Sequence, residues 1–171
     1  MNPYAEMSRE ELLEALKAFA KNWLAHDGCW FLAAEERLGI DEAMALDAVT
    51  WGRFAKAEAR RIMELAKLPE RGGLEALERA LSLRMYALVN AQHCEWSSDR
   101  KKLRFAMDAC RVQEARYRKG LAPFPCRPVG EEEFRSFATT IDPRIQTRCI
   151  HCSPEPNEKR ACTWEFTLAD G

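Results

Sequence analysis

Lys102-Leu103-Arg104-Phe105-Ala106-Met107 is the stretch on which the fold class turns. Leu103, Phe105 and Met107 alternate with Lys102, Arg104 and Ala106, a period of two that suits a strand with one buried face. Upstream of it the apolar residues keep a helical period. Ser8 and Glu11 form a capping box, and from there Leu12, Leu16, Phe19, Trp23, His26 and Trp30 recur at spacings of three and four. That stripe predicts a first helix to about Leu38, stopped by Gly39, with Asp27-Gly28 as a place where it can break. A second helix, capped by Asp41, is expected to about Leu68, with Trp51, Ala55, Glu58, Ile62 and Leu65 on one face. Ala48, Gly52, Ala55 and Ala59 make a small-residue stripe along which another helix can approach. A third is expected from Leu74 to Cys94, on Leu74, Leu77, Leu81, Met85 and Leu88.

Downstream, Cys110 to Lys119 reads as a helix ended by Gly120, and Pro123-Phe124-Pro125-Cys126-Arg127-Pro128 as an irregular loop. Gly130 and Glu131-Glu132-Glu133 open a further helix, with carboxylates at its positive end. Ile145–His151 and Ala161–Leu168 form a hairpin around Ser153-Pro154-Glu155-Pro156-Asn157. The expected fold is α+β: an N-terminal helical layer packed on a small antiparallel sheet with additional helices. One domain is expected over 1–171, mainly helical to residue 98 and cysteine-rich from residue 99, because two cores in 171 residues would each be small for their surface.

Hydrophobic residues at 47% and charged residues at 31% place the chain among folded globular proteins rather than disordered ones. Lys and Arg total 26 against 27 Asp and Glu, so neither nucleic acid nor an acidic membrane is expected as partner. No apolar run spans a bilayer and the first eleven residues are too polar for a signal peptide, which makes the cytoplasm the expected compartment. No glycine-rich phosphate loop, nucleophile elbow or paired zincin histidines occurs, so no nucleotide or dinucleotide cofactor is expected.

The seven cysteines are the chemistry-bearing residues, and a reducing compartment disfavours joining them as disulfides. Cys149-Ile150-His151-Cys152 can aim two thiolates at one ion such as zinc, with Cys162 on the returning strand and Cys126 on its loop completing four ligands. The alternative is inert buried thiols. Cys110, at an expected helix start beside Arg111, is the candidate low-pKa thiol and nucleophile. His26 and Glu58 interrupt apolar stripes on the first two helices. Together they make an acid/base pair, a metal half-site or a core hydrogen bond.

His26-Asp27-Gly28-Cys29-Trp30-Phe31, Cys110-Arg111-Val112-Gln113, Phe124-Pro125-Cys126 and Trp164-Glu165-Phe166-Thr167-Leu168 resemble a family of small, uncharacterised bacterial cytosolic proteins. In its C-terminal third the chain is similar to the L-2-amino-thiazoline-4-carboxylic acid hydrolase-like proteins, through Cys110, Gly120, Cys126, Arg148, Cys162, Trp164 and Phe166. That second resemblance implies hydrolysis of a small cyclic, thiazoline-like or amide-like substrate. Cys110 would then be the nucleophile, or Cys126 and Cys162 would hold a metal-bound water, with His26 as base. The leading expectation is a protein of unassigned activity that binds a metal ion or small molecule at a cysteine-lined site. Its rivals are that hydrolase and a structural or interaction protein whose cysteines only fill space.

Overall fold

The computed structural model describes residues 2–155 and 161–169. Helix α1 (Arg9–Leu38) opens on the expected box: Ser8 Oγ accepts from the Glu11 amide at 3.2 Å, and the Glu11 carboxylate accepts from the Ser8 amide at 2.7 Å. It runs through Asp27-Gly28 without a break and stops at Gly39, whose φ of +85° suits a residue without Cβ. Helix α2 (Ile40–Ala66) follows at once, so Asp41 lies in its first turn instead of capping it. Helix α3 (Gly73–Leu83) is capped from afar, because the fully buried Asp142 accepts from the Gly73 amide at 3.1 Å.

The third helix ends eleven residues before Cys94, contrary to the periodicity. Leu74, Leu77 and Leu81 are buried as expected, but Met85 to Leu88 form a single 3-10 turn. The chain then extends as β1 (Ala91–Trp96), which pairs antiparallel with β2 (Lys102–Ala109). Sheet pairing overrides a local pattern that fitted either state. After β2 come α4 (Arg111–Arg118), α5 (Arg127–Ile141), β3 (Ile145–Cys152) and β4 (Cys162–Leu168). Helix α5 starts three residues before Gly130, since a proline in the first turn lacks only an amide that needs no partner there. Gly130 serves packing instead: a Cβ on it would fall 2.5 Å from Trp164 Cζ2. The sheet order is β1-β2-β4-β3, antiparallel throughout. The expected hairpin is β3–β4, and part of its turn, Pro156-Asn157, lies outside the described residues. The α+β expectation agrees with this architecture.

Leu103, Phe105 and Met107 face the interior, opposite Phe166, Trp164 and Cys162 across the β2–β4 ladder. The other face carries an ion-pair rung, with Arg104 and Arg148 on either side of Glu165 at 2.9 and 2.6 Å. Helices α2 and α5 make the most extensive helix–helix contact, and Ala55 and Ala59 of the small-residue stripe are wholly buried. Two apolar clusters result. The dense one joins Leu77, Leu81, Phe137, Trp164 and Phe166; the thin one is built on Trp51, Phe124 and Val129, with Trp23, Phe31 and Tyr86 around it.

Helix α1 belongs only to the thin cluster. Of its expected stripe, Leu12, Leu16, Phe19, His26 and Trp30 are exposed, and Trp30 is 69% accessible. A 30-residue helix is about 45 Å long and outruns the layer beneath it. Its inward residues are Trp23, as the stripe expects, and Leu24, Phe31 and Leu32, one step round from that stripe. Among the described residues no helix is long and apolar enough to cross a membrane.

Candidate functional site

Between α1, α2, α4 and the interior face of the sheet lies a cavity of about 400 Å³. Its walls are largely apolar: Phe31 and Leu32 from α1, Trp51 from α2, Phe105 and Met107 from β2, Phe124 from the proline-rich loop and Trp164 from β4. That volume and lining are typical of pockets for organic ligands. Arg116 closes one side. Its guanidinium holds Glu35 of α1 through two bonds of 2.6 and 2.8 Å, and its Nε donates to the Ala122 carbonyl at 2.7 Å. Lys21, Arg111, Arg118, Lys119 and Leu121 line the cavity too, and the exposure of Lys21, Arg118, Lys119 and Leu121 marks its opening between α1 and α4. None of those four cations forms an ion pair with a described residue.

The opposite wall is charged and buried. Arg84 donates to Glu58 through Nε at 2.9 Å, with Nη2 in ion-pair contact with the same oxygen at 2.8 Å; Nη1 lies 2.7 Å from Glu133, and the guanidinium lies 4.6 Å over the Phe137 ring. The two carboxylates hold the guanidinium charged against desolvation. Glu133 is nevertheless raised, because burial outweighs Arg84. Asp47 and Asp27 complete the wall. Burial, then the charges of Asp27 and Glu133, push Asp47 up to about 7, and burial also raises Asp27.

Five cysteines line the cavity: Cys29, Cys110, Cys126, Cys152 and Cys162. Cys110 does not have the depressed pKa expected of it. It is the residue before α4, and burial pushes its thiol up to about 11 although the Gln113 and Val112 amides pull the other way. Cys162 is raised by burial as well. Cys126 is lowered. Its sulfur meets the thiol of Cys152, which outweighs its own burial, and it accepts from Gln113 Nε2 at 3.0 Å. Cys152 also meets Cys149, which is lowered by that contact and by Arg127. Cys152 therefore keeps its proton and offers it to one neighbour or the other.

Cys126, Cys149 and Cys152 are thus linked through Cys152, and Cys162 pairs with Cys152 across the β3–β4 ladder. Among the described residues no group of three or more His, Cys, Asp or Glu side chains is placed to hold a metal ion. His26 and Glu58 do not meet. His26 is exposed on the outer side of α1, whereas Glu58 is buried on Arg84, so the expected pair is replaced by an Arg–Glu pair. The sequence reading missed Arg84, Asp47 and Gln113. Arg84 was masked by the helix expected to run through it, and Asp47 and Gln113 acquire partners only when distant segments pack.

The structure is similar to a crystal structure of trafficking protein particle complex subunit 3 from Naegleria fowleri, which is covalently bound to palmitic acid. The two are 9% identical, with a TM-score of 0.51 over 95% of this chain and 98% of that one, a likeness of fold. No curated protein matches the sequence. A family model described as "Family of unknown function (DUF6125)" matches residues 5–168, nearly the whole chain, and the protein belongs to that family.

Proposed function

We propose that the protein binds an apolar or amphipathic small molecule, of the fatty acyl class, in the cavity between its helical layer and its sheet. The carrying observation is the cavity itself: about 400 Å³ with an aromatic and aliphatic lining, opening to solvent beside α1. Natural cores are packed without voids of this size unless something fills them. The palmitic acid held by the trafficking subunit of similar fold supports an acyl chain as the ligand class.

Gly28 gives a clean test. It lies in the middle of α1, lines the cavity, and a Cβ there meets nothing within 4 Å. Gly28→Leu should fill ligand space while favouring the helix by about 1 kcal/mol. Titration with the fluorescent fatty acid cis-parinaric acid is expected to give one saturable site in the native protein, weakened about tenfold or more in Gly28→Leu. Equal affinity of both proteins would overturn the cavity as the binding site.

A further inference from the structure

We propose that Cys126 is an acyl-accepting thiol, which takes an acyl chain from the thioester of an anionic carrier held at the cavity opening. The inference rests on the reading of the cavity as a ligand site and adds to it a bond, a residue and a donor class.

Two independent arrangements carry it. The first is the setting of the sulfur. Cys126 lines the cavity at the junction of the two apolar clusters, immediately before α5. Gln113 Oε1 accepts from the Phe124 amide at 3.0 Å, while Nε2 donates to the Phe124 carbonyl at 2.7 Å and to Cys126 Sγ at 3.0 Å. The backbone thus fixes which way the amide points, and a donor always faces the sulfur. The Cys152 thiol is a second donor. Both stabilise thiolate, the nucleophilic form, against burial and against the Phe124 carbonyl, which accepts from Sγ at 3.4 Å. Cys110 and Cys162, also in the lining, are held as thiols by burial, and Cys149 lies outside the cavity beside Arg127 and Arg148.

The second arrangement is the opening. Lys21, Arg111, Arg118 and Lys119 have no ion-pair partner among the described residues, whereas their neighbour Arg116 is fully engaged with Glu35. Unpaired cations around an apolar cavity complement an anionic group attached to an apolar chain. A phosphate-bearing acyl thioester has both parts. The Cys126 thiolate attacks its carbonyl carbon, a new C–S bond forms, and the carrier's C–S bond breaks. The carrier leaves as thiolate and takes up the proton that Cys126 gave up. One thioester replaces another, and nothing is oxidised or reduced.

The probe is palmitoyl-coenzyme A, incubated with the full chain near neutral pH and followed by intact mass. The expected result is one acyl group per chain, released by neutral hydroxylamine. It should be absent in Cys126→Ser and retained in Cys94→Ser. Gln113→Ala should slow acylation about tenfold, the equivalent of one pKa unit in thiolate. Charge reversal at Arg118 and Lys119 should slow it about tenfold and weaken its salt dependence. Binding of cis-parinaric acid checks that Cys126→Ser is folded. If that variant does not bind, the acylated peptide of the native protein decides, support coming only from a label on Cys126. Acylation that persists in folded Cys126→Ser overturns the proposal. So does native protein that binds cis-parinaric acid but is never acylated, a result that leaves the cavity reading intact. Failure to bind either probe overturns both.

Discussion

Asp47 joins burial to pH more directly than any other residue of the site. It lies beside Trp51 on the cavity wall, with Asp27 and Glu133 close enough for their charges to act on it and the Trp51 indole as its favourable contact. Its folded value of about 7 stands well above that of an unfolded aspartate, near 4. The folded chain therefore binds more protons than the unfolded chain between about pH 4 and pH 7. The stabilisation from this group is fully present below the unfolded value and is lost as pH rises through the folded one. Urea unfolding midpoints of the native protein should fall across that window, and Asp47→Asn should flatten the fall. A midpoint that rises with pH in the native protein, with no change in slope in the variant, would contradict the assignment. Nothing in the sequence marks this aspartate. It is one of many acidic residues on α2, singled out only by the approach of α1 and α5, whereas Cys126 stood out already as a cysteine on a proline-rich loop. What the loop could not reveal was Gln113, a helical side chain whose partners lie 11 and 13 residues further on.

At the scale of elements, the parts with strong local signals were legible: the Ser8–Glu11 box, the stop at Gly39, the alternation in β2 and the β3–β4 hairpin. Two elements were not. β1 is an edge strand, Ala91 to Trp96, whose mixed residues alternate weakly and whose extended state depends on β2 beside it. Helix α1 was legible in extent but not in orientation. Its apolar residues occur all round, and only contact with α2 and the loop after α4 selects the inner face. The outer residues of α1 should consequently matter little to stability. Phe19, 53% accessible, should tolerate Phe19→Lys with a change below about 0.5 kcal/mol. Leu77→Ala, at a wholly buried position of α3, should cost about 2–5 kcal/mol. Urea denaturation of the two variants would check the contrast. A large loss in Phe19→Lys would mean that this face is covered in solution.

For the whole molecule, the division of the core has a consequence for how the protein opens. The dense cluster ties α3, α5 and the sheet together, while α1 is held by the thin cluster and the Arg116–Glu35 clamp. The two parts need not come apart at the same free energy. Amide hydrogens of α1 should exchange with solvent through a local opening that costs less than global unfolding, and those of α5 and β4 only through loss of the whole fold. Native-state hydrogen exchange in low denaturant would separate the two classes, and coincident exchange of α1 with β4 would show a single cooperative unit. Because α1 is the outer wall of the cavity, the slow clock of the folded body would not govern occupancy. A guest could come and go on the faster clock of one helix, and its presence would slow the local opening of α1 as well as the loss of the whole fold.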